Sequence, residues 1–397
     1  MTNIDRFIRY VKIDTQSDDT TGTTPSTEKQ KNLSRLLVEE LKELGLEDAY
    51  MNEYGIVYAH LKGEGDKIGL NAHIDTALEV TGKDVNPQIV KNYDGGDIKL
   101  NDKYTFSPNQ FPILNKFKDC DLVTTDGNTL LGADDKAGIA IIMSALEYFH
   151  NHPEVKHHNI SVAFTVDEEI GEGSKHFSLK EMDADYAFTV DGADIENVDY
   201  ENFNAQGVEI KIQGISVHPG EGKGKLINAI LVLNELLNMM PKNDTPFEAG
   251  EDDGYWHIND VSGSSDFLTA SMILRDFDRK KLEARDAIIR ENIQFLMNKY
   301  KGINIECSIV EQYENMKPYV DKFNKPVDIA KAALIKNGIT PKSTKIRGGT
   351  DGATFSKMGL VTPNLGTGSY NHHGRFEFLV INQFEKMIDV LIDILKI

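Results

Sequence analysis

The chain has 397 residues, 40 % hydrophobic and 27 % charged, ordinary for a globular protein and long enough for two cores. A formal net charge of −20 argues against nucleic acid or anionic membrane as a partner, because both are bound by basic patches. Two isolated cysteines, Cys120 and Cys307, rule out a disulfide framework or thiolate site, so any metal needs nitrogen and oxygen donors.

In chain order, Met1-Thr2-Asn3-Ile4-Asp5-Arg6 lacks the apolar core of a signal peptide. No apolar run reaches membrane-spanning length, so a cytoplasmic location without a membrane partner is expected. Residues 27–45 are predicted to be a helix, with Leu33, Leu36, Leu37, Leu41 and Leu44 as its apolar stripe and Gly45 as its stop. Strands follow at 55–61 and 68–72, the second running straight into His73. Residues 80–121 are rich in Asn, Asp, Gly and Pro and weakly periodic, which predicts an irregular insertion ordered by packing around a pocket. Leu130-Leu131-Gly132 leads into Asp134-Asp135, and 137–149 is a strongly apolar helix. Strands at 160–166 and 186–190 end in Asp167-Glu168-Glu169 and Asp191. Strand, carboxylate loop, helix, strand is the rhythm of a parallel sheet with right-handed crossovers.

After residue 205 the pattern changes. Val208, Ile210 and Ile212 alternate with polar residues, as do Leu268, Ala270, Met272 and Leu274, which predicts half-exposed antiparallel strands. Helices at 226–240 and 282–300 and a strand at 303–310 complete an α+β unit of about one hundred residues, a sensible size for an inserted domain. From about Lys317 the first rhythm returns, with helices at 327–337 and 383–395. The expected fold class is α/β: a domain with a mostly parallel central sheet, spanning 1–205 and 314–397, interrupted by an α+β domain at 206–313.

Five short segments carry chemistry: His73-Ile74-Asp75, Asp134-Asp135-Lys136, Asp167-Glu168-Glu169, Asp191-Gly192 and His372-His373. Four end or closely follow a predicted buried strand, where such groups are costly unless a cation or solvent compensates them. Open α/β sheets gather ligands at the carboxyl ends of parallel strands, so one pocket accounts for all five. His73 and Asp75 share a face on an extended chain, which suits a metal-bound imidazole giving its other N–H to a carboxylate; a surface His–Asp pair is the plainer alternative. A helix cap explains one of Asp134 and Asp135, whereas a carboxylate bridging two metals about 3.5–4 Å apart explains both. Spacing does not decide which of the two is the ligand. In Glu168-Glu169 one carboxylate can bind metal while the other moves protons, the alternative being an exposed acidic loop. Asp191 before Gly192 equally fits a turn, and either His372 or His373 can serve as a ligand. Two imidazoles and three carboxylates suffice for two metals with positions left open for water and substrate.

With these segments in place the chain resembles the co-catalytic dizinc exopeptidases, whose members include aminotripeptidases. The likeness runs nearly end to end: Asp14-Thr15-Gln16-Ser17, His73-Ile74-Asp75-Thr76, the stretch from Gly82 to Val90, Thr125-Asp126-Gly127, Leu131 to Gly138, Asp167-Glu168-Glu169, Val190-Asp191-Gly192, Val217-His218-Pro219-Gly220, Arg275 to Lys280, and Arg347 to Ala353. The resemblance implies a zinc-exopeptidase-like catalytic domain with an inserted lid and dimerisation domain, hence a homodimer. It implies two zinc ions per subunit, with cobalt or manganese as substitutes, and a tripeptide substrate. His73 and Asp191 would hold one zinc, Glu169 and His373 the other, and Asp134 would bridge them. Asp75 would orient His73, Glu168 would be the general base, and the peptide between Asp134 and Asp135 would be cis. His218 would stabilise the oxyanion from a partner subunit, and Arg275 and Arg347 would hold the substrate's carboxylate end. The nearest alternative is a related dizinc amidohydrolase: a dipeptidase, carboxypeptidase or N-acyl amino acid hydrolase. A non-catalytic scaffold would lack a ligand or the base, and none is missing. No G-x-S-x-G elbow or P-loop occurs.

Overall fold

Apolar runs in the first two hundred residues, joined by one from the C-terminal part, build a seven-stranded sheet in the computed structural model, which describes residues 1–397. Its centre is parallel: Asn159–Thr165, Lys67–His73, Tyr186–Gly192 and Asn364–Gly366 run the same way. The edges are antiparallel, with Val57–Leu61 and Tyr50–Met51 on one side and Val198–Asp199 on the other. Register pairs His73 with Thr165 and Asn71 with Thr189, so three strands finish level and their next residues share one edge. This is the mostly parallel α/β sheet that the sequence predicts.

Helix Ala133–Asn151 lies against this sheet and against the helices Asn3–Val11 and Ile381–Leu395. Packed on several sides, it is apolar nearly all round. Gly138 is required there, because a Cβ at that position would sit 1.8 Å from the Val190 carbonyl oxygen. The helix approaches the Asp191 strand as closely as backbone allows. Helix Gln30–Glu43 covers the opposite edge and ends at Gly45, whose φ of 89° needs no Cβ relief.

Four α-helices lie outside the predicted set, of which Leu179–Met182 and Lys317–Val320 are single turns. Asn3–Val11 begins with a Thr2–Asp5 capping box and buries Phe7, Tyr10 and Val11. Asp351–Met358 is too short for its periodicity to show. Residues 80–121 also differ from the expected irregular insertion. Gln88–Val90 pairs with Leu122–Thr124, which pairs with Phe378–Val380 and through it with Ser369–Tyr370. Tyr93, Phe106, Leu114, Phe117, Tyr370 and Phe378 form a separate small core beneath this sheet. Strands of two or three residues carry no readable alternation; pairing orders them, between Leu122–Thr124 and Phe378–Val380 across some 250 residues. The hairpin between Ser369–Tyr370 and Phe378–Val380 is the one that carries His372 and His373.

The chain divides into two compact units, Met1–Tyr200 with Met316–Thr344 and Thr350–Ile397, and Glu201–Asn315 with Lys345–Gly349. The second unit holds a four-stranded antiparallel sheet in the order Tyr255–Gly263, Phe267–Asp276, Asn204–Gln213, Asn304–Tyr313. Val208, Ile210, Ile212, Leu268, Met272 and Leu274 pack against Leu233 and Leu236 of helix Ala229–Met239 and Ile289, Ile293 and Leu296 of helix Arg279–Lys299. The strand Tyr255–Gly263 is absent from the predicted elements, because it is a largely exposed edge strand without apolar alternation. No helix is long and apolar enough to cross a membrane.

Candidate metal centre

Three strand ends and two loops of the first unit deliver the side chains that the sequence singles out. His73 closes its strand, Asp191 lies near the end of the next, and Thr165 leads through Val166 into Asp167-Glu168-Glu169. Asp167 adopts a left-handed φ of 61°, turning the chain so that Glu168 and Glu169 face back along the sheet edge. His373, also at φ 61°, is turned inward by its hairpin.

Each of two imidazoles faces a pair of carboxylates. His73 Nε2 lies 3.0 Å from Asp134 Oδ1 and 3.5 Å from Asp191 Oδ1. His373 Nε2 lies 2.9 Å from Glu169 Oε2 and 3.3 Å from Asp134 Oδ2. Asp134 thus gives one oxygen to each pair. A single ring proton cannot serve two carboxylates, whereas a cation at each point can. Potential ligand atoms of His73, Asp134 and Glu169 lie within 4.8 Å of one another, and so do those of His73, Asp135 and Asp191. In addition, Glu169 Oε1 is buried without a hydrogen-bond partner. The donor set fits hard or borderline divalent cations.

The two choices left open by spacing separate by contacts. Asp135 Oδ1 accepts the Gly138 N–H at 3.2 Å and Oδ2 accepts the His73 N–H at 3.3 Å, the work of a helix cap. Asp134 instead points both oxygens at imidazoles, and the Asp134–Asp135 peptide is cis, as expected from the resemblance. His372 Nε2 is engaged by Ser369 Oγ at 2.9 Å, with Nδ1 3.4 Å from Asp134, whereas His373 alone meets Glu169.

Asp75 supports both sides of the cluster. It is fully buried; Oδ1 accepts the Glu168 N–H at 3.0 Å and Oδ2 the Glu169 N–H at 3.2 Å, while His73 Nδ1 lies 3.1 Å from the Asp75 backbone carbonyl oxygen and 3.4 Å from Oδ1. One residue therefore holds a glutamate turn through its carboxylate and an imidazole through its backbone carbonyl and Oδ1 together. Replacing it with Ala should lower metal affinity by about 10–100-fold, the usual loss when a group holding a ligand is removed. Chelator competition measures this; unchanged affinity would show that the His73 ring is held by other contacts.

Electrostatics follow from crowding. Burial pushes Glu168 well above the usual carboxylate range, with Asp191, Asp351 and Glu169 adding to it. Burial and Asp134 push Glu169 up to about 7. Hydrogen bonds to Asp134 and Glu169 push His373 up to about 11. Burial alone would lower His73, but Asp191, Asp134 and Asp75 raise it well above the ordinary imidazole value. Such mutual dependence marks a site built for charge that protons supply poorly.

Several supporting residues have no role assigned from the sequence. Glu377 accepts three backbone N–H groups from 131–134. Asp167 accepts from Ser26 N–H and Oγ and from Gln30 Nε2 at 2.7, 2.5 and 2.6 Å, anchoring the glutamate turn. Asp351, pushed up to about 7 by burial, accepts from Thr165 Oγ1 at 2.6 Å. All are carboxylates whose significance lies in partners far away along the chain.

His218, Arg275 and Arg347 belong to the second unit. His218 is exposed, and its Nδ1 accepts the Gly220 N–H at 3.2 Å, which leaves Nε2 to donate. Arg275 Nη1 donates to the carbonyls of Leu274 and Gln206, and the guanidinium lies over Tyr313. Arg347 Nη1 donates to the carbonyls of Gly250, Glu251 and Asp253, with Phe203 and Tyr255 under the guanidinium.

Comparison with known proteins adds relatives along the whole chain. A model of peptidase family M20/M25/M40 matches residues 123–397. A Clostridium perfringens protein named Peptidase T is 47 % identical over 99 % of this chain and 98 % of its own length. A Bacillus subtilis protein of the same name is 44 % identical over 99 % and 97 %. Among solved structures, an aminopeptidase PepT from Bacillus cereus superposes with a TM-score of 0.78 at 21 % identity, covering 99 % of this chain and 96 % of that one. A tripeptidase from Staphylococcus aureus gives 0.80 at 20 % identity, covering 99 % and 97 %.

Proposed function

The chain belongs to peptidase family M20/M25/M40, and on that premise we propose that it is a metal-dependent aminopeptidase releasing the N-terminal residue of tripeptides. The observation that carries this reading is the double pairing at Asp134, whose two oxygens face the Nε2 atoms of His73 and His373. We assign His73 and Asp191 to one divalent cation, Glu169 and His373 to a second, and Asp134 to both, with zinc the expected metal and cobalt or manganese as substitutes. Cations held there supply Lewis acidity, polarising a peptide carbonyl and making a water acidic near neutral pH.

The chain's own residues do the rest. Glu168 carries a carboxylate on the turn fixed by Asp75, and it takes the proton of the attacking water. It then passes that proton to the nitrogen of the departing amine. His218, with Nε2 as donor, is our candidate for stabilising the oxyanion, contributed by a partner subunit. Arg275 and Arg347 are proposed to bind the substrate's carboxylate end. Only Nη1 of each is engaged by carbonyls, which leaves the other edge of the fork for a carboxylate. In the same proposal the second unit, which has its own core, serves as lid and homodimer contact.

Tripeptides with free, acetylated or amidated ends test the assignment. Free tripeptides should be cleaved at the first bond, N-acetylation should abolish cleavage, and C-terminal amidation should raise KM. Turnover of acylated substrates alone would replace this reading with an N-acyl amino acid hydrolase.

A further inference from the structure

Glu377 is 1 % exposed, and backbone N–H groups meet both of its carboxylate oxygens. Its Oε2 accepts the N–H groups of Leu131 at 2.7 Å and Gly132 at 2.8 Å, and Oε1 accepts that of Asp134 at 3.0 Å. Gly132 has a left-handed φ of 78°, which lets successive N–H groups converge on one anion. Four residues before Glu377 stands His373, and immediately after it comes the Phe378–Val380 strand, paired to Leu122–Thr124. The contacts close a circuit: Glu377 grips the 131–134 loop, that loop presents Asp134, and Asp134 faces His373 of the Glu377 segment.

We propose that Glu377 is a positioning residue that sets the separation of the two donor loops and thereby the metal affinity of the site. This rests on the metal reading given above. Two loops about 240 residues apart in the chain have no covalent reason to hold a fixed spacing. A buried carboxylate with three charge-assisted bonds supplies one, since each bond is shorter and stronger than a neutral equivalent. Substituting Gln keeps the volume but turns one accepting oxygen into an N–H donor facing backbone N–H groups. Substituting Asp keeps the charge and shortens the reach.

The full-length protein, stripped by a chelator, is titrated with cobalt, followed by its visible absorption and by chelator competition. Thermal midpoints of the stripped proteins are measured alongside. Glu377→Gln should bind cobalt about 10–100-fold more weakly with an altered ligand-field band, and its stripped midpoint should fall by less than the loaded one. Glu377→Asp should fall between the two, and it carries the test if the Gln variant does not fold. Cobalt affinity equal to wild type, or a stripped midpoint that falls as far as the loaded one, overturns the proposal. Wild-type protein that binds no cobalt or zinc would instead bring down the metal reading itself, a result distinct from equal binding by wild type and variant.

Discussion

Glu168→Gln should lower kcat by roughly 10²–10⁴-fold while leaving metal content and KM near wild type, the span expected when a general acid–base group is removed. The Glu168 N–H is held by Asp75, and no hydrogen bond engages its carboxylate, which leaves that group able to meet a water. Burial and the nearby Asp191, Asp351 and Glu169 keep it well above the usual carboxylate range, as suits a group that must both take and return a proton. Gln preserves shape and removes the charge, so folding should survive; relief of carboxylate crowding favours it. Steady-state kinetics with metal analysis decide the matter. Activity within tenfold of wild type would move the base elsewhere, and loss of metal would make Glu168 a ligand instead.

Removing the metals should abolish turnover, and it should make stability depend on pH in a defined direction. Glu169 and Asp351 are both pushed up to about 7 from ordinary values of 4.5 and 3.8. A folded chain without metal therefore keeps protons that the unfolded chain has released. The stability linked to these groups is whole below their ordinary values and is lost as pH rises through about 7. His373, pushed from 6.5 up to about 11, acts in the same sense at higher pH. Asp134 is shifted downward, by His372, His373 and His73 against the effect of burial, so its linkage falls in acid, below 3.8. Between about pH 5 and 8 the raised values of Glu169, Asp351 and His373 thus weaken the stripped protein as pH rises, while metal binding, which displaces protons, strengthens. The thermal midpoint of chelated protein should fall across this range, and the gain on adding zinc should grow. At a thousandfold excess over Kd that gain is about 4 kcal/mol. A metal-independent midpoint at pH 8, with activity that survives chelation, would remove the basis of the mechanism.

Much of this site is readable before any coordinates. His73, Asp191 and the Asp167-Glu168-Glu169 run each stand at or just beyond an apolar strand, and burial beside a core makes such residues conspicuous. Asp134 against Asp135, and His372 against His373, are different: adjacent residues of one type carry identical spacing, and only the direction of their side chains separates the one that caps a helix from the one that faces two imidazoles. Glu377 lies outside the segments that carry the resemblance, and its meaning lies in three N–H groups 243 to 246 positions away. The small sheet around residues 88–124 hid for a related reason, since strands of two or three residues show no period.

The chain on its own determined the α/β rhythm, the chemical kind of every donor and the order in which donors arrive, because periodicity and side-chain chemistry are local properties. Tertiary structure decided which carboxylate faces both imidazoles, which imidazole meets Glu169, and how loops hundreds of residues apart keep their spacing. Those are relations between distant backbones, set by strand register and buried hydrogen bonds, and no stretch of sequence contains both partners.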